Sequence, residues 1–110
     1  MAAPVVGVVV PATGRLARLG PPLEFAARAF PWPFEVLTRD SGSTAEGARA
    51  AVRSLVGAGA RLVVALGGTE ALPAVVGACA EHEVPSVTTT LPWQLVAGLR
   101  SDRSFHFCWG

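Results

Sequence analysis

Charge is scarce in this chain. Of 110 residues, 15% are charged and 51% are hydrophobic, and the formal net charge is +1. The basic and acidic residues are scattered, so there is no basic stripe of the kind that engages nucleic acid or an anionic membrane. Cysteine is nearly lacking as well. Cys79 and Cys108 stand far apart, with no CxxC and no Cys/His cluster at zinc spacing. That excludes a metal knot or a disulfide framework and leaves open one bridge between the two. Long apolar runs are also missing. Val5–Val10 is only six residues long, is bounded by Pro4 and Pro11, and follows no basic segment. It is too short for a membrane span and unlike a signal peptide. The nucleotide and hydrolase motifs are absent too. There is no GxxxxGK[ST] and no GxSxG, and Gly57-Ala58-Gly59 precedes a predicted strand instead of following one. No cofactor is expected.

What is present is apolar periodicity. The length suits one small domain, and the low charge with ample apolar content favours a buried core over disorder. Val5–Val10 is a continuous β-branched run that suits a strand buried on both faces. Pro11–Gly20 is rich in turn formers. Pro21 and Pro22 fit the first turn of a helix, and Leu23, Ala26, Ala27 and Phe30 follow on one face. The bend at Pro31-Trp32-Pro33 leads to a second strand at Phe34–Thr38. Asp40–Ser43 is a turn. Ser43 and Glu46 have capping-box spacing, with Ser43 as N-cap of a helix that carries Ala48, Ala51, Val52 and Leu55 inward. Leu62–Leu66 is the third strand. A third helix places Leu72, Val75, Val76 and Cys79 inward, so a packed thiol is the expected role of Cys79. Pro85 precedes a fourth strand at about Ser86–Thr89, and Ser104–Trp109 could begin a fifth. The β-α-β alternation predicts an α/β fold: an open parallel sheet of about four to five strands in three αβα layers.

Parallel strands put the loops Pro11–Leu19, Asp40–Ser43, Gly67–Thr69 and Thr88–Trp93 on one edge, where open α/β sheets bind ligands. Gly67 and Gly68 allow close approach to the backbone. Thr69 lies beside them at a helix start that offers free N–H groups to a small anion. Its hydroxyl either caps its own helix or faces a ligand, and one hydroxyl can do both. Thr88, Thr89 and Thr90 bring further hydroxyls, or serve β-propensity alone. Alternation lets at most two of them point one way. Trp93 either stacks on a ligand or packs over the sheet edge. His82 reads as a surface residue, and His106 has no evident partner. Neither histidine falls on the edge. Glu70 and Asp40 are its only carboxylates, too little for acid–base catalysis, so no enzymatic activity is expected.

The run VGVVVPATGRLARLG resembles the opening of type I periplasmic solute-binding proteins, the branched-chain amino-acid group of ABC-transporter receptors. The matching features are Pro11, Thr13, Gly14 and Gly20. FEVLTRDSGSTAEGARAAVRSLV is similar to their second strand, acidic turn and second helix. VVALGGTEALPAVVGACAEHEVPSVTT is similar to their third strand, polar turn, helix and fourth strand. The resemblance implies the N-terminal lobe of a two-lobed clamp, a flavodoxin/Rossmann-like half, with the second lobe absent from these 110 residues. It also implies non-catalytic capture of a small polar, amino-acid-like solute, an ABC permease as partner and an extracytoplasmic location. By position it puts Gly68, Thr69, Thr89 and Thr90 at the ligand, with Arg15 or Leu16 at the mouth. The family's paired serines after strand three are here reduced to Thr69 followed by Glu70. A reading of another class is a small sensory or regulatory module that dimerises through an apolar patch of Phe105, Phe107 and Trp109.

Overall fold

The computed structural model describes residues 3–89 and 104–107. Five strands form one sheet in the order β2-β1-β3-β4-β5: β1 (Val5–Val10), β2 (Glu35–Asp40), β3 (Ala60–Leu66), β4 (Ser86–Thr89) and β5 (Ser104–Phe107). Every adjacent pair is parallel. The expected open parallel α/β sheet is therefore present, with five strands. Three helices connect the first four strands: α1 (Gly20–Ala29), α2 (Ala45–Gly57) and α3 (Ala71–Glu81).

The core lies between the sheet and the α2–α3 layer. Ala48, Ala51, Val52 and Leu55 of α2 meet Leu72, Val75 and Cys79 of α3 over Val9, Val63 and Ala65 of the strands. These are the residues that helical spacing assigns inward, and all are buried. Cys79 is a free buried thiol, which burial pushes up to about 12. The question of a bridge is settled for Cys79; Cys108 lies outside the described residues.

The other sheet face is covered differently. α1 rests over β1 and β2, where Arg28 donates to Thr38 (2.8 Å), and Thr38 donates to Glu24 (3.1 Å). The Trp32 indole donates to the Ala27 carbonyl at 2.9 Å, folding the Pro-Trp-Pro bend back under the helix. Leu23, Ala26 and Ala27 point to the sheet as their spacing predicts, across a cavity of about 390 Å³.

Three local expectations are corrected. Phe30 does not continue the α1 face. It takes an extended conformation after the last helical residue and is 65% exposed, because the residue before a proline is sterically kept out of the helical region. The N-cap of α2 is Thr44, whose Oγ1 accepts from Gly47 N at 3.0 Å, and not Ser43. Ser43 has φ +60° and its side chain is committed elsewhere, so the helix starts one residue later. The second strand runs Glu35–Asp40 instead of stopping at Thr38, because register with β1 continues to Val10↔Asp40.

Candidate functional site

The strand order places a reversal between β1 and β3. From β1 the chain moves to β2 on one side, and β3, β4 and β5 extend on the other. The loops that leave the carboxyl ends of β1 and β3 diverge there, and such a switch point forms a natural crevice. Its walls are the 11–19 loop and the turn 67–70.

The first wall is held in shape by Asp40. Its Oδ1 accepts from the backbone N–H of Ala12 (2.9 Å), Thr13 (3.1 Å) and Gly42 (2.8 Å), and its Oδ2 accepts from the Thr13 hydroxyl (2.6 Å). Ser43 adds a second tie, accepting from Leu16 N (3.1 Å) and donating to the Thr13 carbonyl (2.8 Å). The loops after β1 and β2 thus form one unit. Gly14 lies within it at φ +84°, with its α-carbon against the Gly42 carbonyl.

This unit carries Arg15 and Leu16 over the second wall. A Cβ built on Gly68 would lie 2.8 Å from Leu16 Cδ1 and 3.5 Å from a terminal nitrogen of Arg15. A side chain at Gly68 would have to displace the end of the Leu16 side chain. Thr69 is exposed beside it. The N-cap position of α3 is Glu70, without a side-chain cap, so the expectation that Thr69 caps this helix is corrected. Glu70 already has helical dihedrals (φ −86°, ψ −42°), and the first turn closes through Leu72 N–H to the Gly68 carbonyl at 3.1 Å. The exposed Thr69 side chain makes no capping bond to this helix. Arg15 has no ion pair among the described residues, where Arg28–Glu24 at 3.6 Å is the only one.

On the next strand, Thr88 and Thr89 diverge as alternation requires. Thr88 is 1% exposed and buried on the α2–α3 side. Thr89 pairs with Leu66 at the same edge as the crevice, and its Oγ1 is buried without a hydrogen-bond partner among the described residues. A buried unpaired hydroxyl costs free energy. Thr90 and Trp93 lie outside the described residues, as do the side chains of His106, Phe107 and Trp109. His82 is exposed at the far end of α3. The structure therefore brings Arg15, Leu16, Gly68 and Thr69 together, with Thr89 one strand along.

Asp40 is the residue whose part at this edge the local pattern understates. Its default reading is a turn residue, whereas it shapes the loop that carries Arg15. Burial works against its charge, but the bonds from the Thr13 hydroxyl and from the N–H groups of Gly42, Thr13 and Ala12 outweigh burial. They hold the carboxyl below its usual 3.8. A depressed folded value means the stabilisation is full above the unfolded pKa and is lost as pH falls through the folded value. Asp40→Ala is expected to cost about 1–2 kcal/mol at pH 7, the low end for charge-assisted bonds because the group is exposed. The gap between the two proteins should narrow as pH falls from 7 below the ordinary carboxylate range and through the depressed folded value. Urea midpoints along that series check it, and a gap that persists undiminished at the acid end would contradict this role.

The fold defines the class: an open parallel α/β sheet with its topological switch point between β1 and β3. No family model matches the sequence, and no curated protein matches it. Among solved structures, the chain is similar to a candidate branched-chain amino acid ABC transporter from Silicibacter pomeroyi, with a TM-score of 0.73 and 19% identity. The match covers 94% of this chain and 31% of that one, so this chain spans about a third of that protein. It is also similar to a de novo designed protein of P-loop NTPase fold, with a TM-score of 0.54 and 15% identity over 96% of this chain and 67% of that one. At these identities the likeness is one of fold. The second neighbour shares no phosphate loop with this chain, which has no GxxxxGK[ST].

Proposed function

We propose that this chain is a non-catalytic binding lobe that captures a small polar, amino-acid-like solute at the β1/β3 crevice. In this reading it serves an ABC-type importer, outside the cytoplasm and facing a permease. The observation that carries the reading is the meeting of Arg15 with Gly68 and Thr69 at the switch point. A guanidinium without an ion-pair partner among the described residues, a backbone free of Cβ and a hydroxyl beside a helix start together suit a carboxylate. Thr89 adds, at the same edge, a buried hydroxyl without a partner among the described residues. The fold likeness to the Silicibacter pomeroyi protein agrees with a binding role.

Catalysis finds little support. Asp40 is occupied by four hydrogen bonds. Glu70, exposed in the 67–70 turn, has no histidine near it among the described residues. Glu70 also repels a ligand carboxylate, and Arg15 is the cation placed to offset it.

A crevice open on one side buries little of a ligand, so affinity should be modest. Thermal-shift measurements with amino acids and small carboxylates test the reading. One compound should stabilise the chain by about 1 kcal/mol at roughly five times its dissociation constant. Arg15→Ala and Thr69→Ala should each remove that shift without altering the unliganded melting temperature, since both side chains are exposed. A screen in which no compound stabilises the chain, or a shift that both variants retain, would reject the crevice as the site.

A further inference from the structure

Protein interiors leave few voids larger than a water molecule. Under α1, however, the space between helix and sheet is about 390 Å³. The described residues that line it all fall between Val6 and Leu66. Aliphatic side chains of β1, β2 and β3 form its floor. Leu23, Ala26 and Ala27 form its roof, and Trp32 and Phe34 wall it beside the last helical turn.

Two features keep this space from collapsing. Its roof carries alanines where longer side chains would reach the floor. The helix is also tied at both ends. At its start Gly20 lies against the Pro11–Ala12 backbone, where a Cβ would be 2.7 Å from the Ala12 α-carbon. At its end Arg28 donates to Thr38 (2.8 Å) and the Trp32 indole donates to the Ala27 carbonyl (2.9 Å). Sinking onto the sheet would break these ties, so α1 stands as a bridge. Within it only Gly20 is buried, and Leu23 and Ala27 stay half-buried for want of contacts below them.

The lining also selects a chemistry. Its side chains are aliphatic or aromatic, and the one N–H among them, on Trp32, is spent on Ala27. Such a space offers water no partners and takes apolar molecules instead. A cavity of about 150 Å³ already holds benzene, and this one is more than twice that size. An ionised group would find no partner inside and is excluded. The Trp32 and Phe34 rings, stacked at 5.4 Å, add aromatic surface to the wall. We infer that the space under α1 is a second binding site, for an uncharged aromatic molecule of about two or three rings. Arg15, Gly68 and Thr69 are not among its lining residues, so the inference does not rest on capture of an amino-acid-like solute.

Titrating the 110-residue chain into dilute phenylnaphthylamine, an uncharged dye that brightens in apolar surroundings, tests it. The brightening should saturate, with a dissociation constant on the order of 0.1 mM or below. Anilinonaphthalene sulfonate, the same skeleton with a fixed charge, should bind at least about tenfold more weakly. Ala26→Leu and Ala27→Leu fill the space, so each should raise the dye's dissociation constant at least about tenfold without lowering the melting temperature. Phe25, about 200° around α1 from Leu23, points away from the sheet, and Phe25→Ala should bind the dye as the parent does. The absence of saturable brightening overturns the inference. So does a sulfonate that binds as tightly, since that marks general apolar surface. Parent-like affinity in either filled variant, or weakened binding in Phe25→Ala, overturns it too. Filled variants that both melt below the parent would show that the space is already occupied, which also overturns it.

Discussion

Leu55→Ala should destabilise the fold by about 3–4 kcal/mol. Leu55 is fully buried in α2, and its methyl groups lie where a Cβ on Gly7 of β1 would fall, 2.7 Å from the nearer one. α2 can close on β1 this far only because that strand has a glycine at its third position. The alanine leaves a hole that a helix and strand packed so tightly cannot collapse to fill, so a cavity cost adds to the lost transfer energy. For a domain of this size, whose total stability is of order 5–15 kcal/mol, that is a large share. The melting temperature should fall by about 15 °C. Phe30→Ala removes a larger side chain, but one that is 65% exposed and touches chiefly the Trp32 ring at 5.0 Å. It should cost under about 1 kcal/mol. Urea unfolding of both variants checks the pair. Equal losses would mean that the core does not lie under α2.

Gly14→Val should cost about 3 kcal/mol or more, and it should also abolish ligand stabilisation. Two effects combine. A β-branched residue at φ +84° is strained by its own backbone. Its Cβ also drives into the Gly42 carbonyl oxygen, a backbone atom that cannot swing aside. Relief requires the loops after β1 and β2 to separate, which breaks the Asp40 bonds and frees Arg15 from its place over Gly68. Gly77→Ala is the control. Gly77 lies inside α3 with open space around its Cβ position, so alanine there should stabilise the chain by up to about 1 kcal/mol. Denaturant unfolding and the thermal-shift assay together read both consequences. A Gly14→Val chain as stable as the parent would show that the two loops are not locked together.

Much of the fold was legible because its signals are local. α2 and α3 bury the residues that their 3.6-residue spacing selects, and the β-branched runs become strands. Errors fell where a neighbour from elsewhere in the chain competes. Ser43 has the spacing of a capping residue, but its hydroxyl is claimed by Leu16 and Thr13, 27 and 30 positions away. The cap therefore passes to Thr44. Asp40 reads as a turn residue because its partners Ala12 and Thr13 are 28 and 27 positions away. Of the residues expected at the ligand, Gly68 and Thr69 could be named from a glycine turn after a strand. Arg15 and Leu16 came only from family likeness, and nothing in their own neighbourhood points to Gly68.

By itself the sequence determines the alternation of strands and helices, the inward face of each helix and, through right-handed crossovers, the single edge to which the loops lead. These follow from periodicity and chain handedness, which act over one or two elements at a time. Only the tertiary structure decides the order β2-β1-β3-β4-β5. That order puts the crevice between β1 and β3, sets Arg15 over Gly68 and joins the first two loops through Asp40. Each of these depends on which strand lies beside which. Strand order is settled by packing among residues tens of positions apart, and no local pattern encodes it.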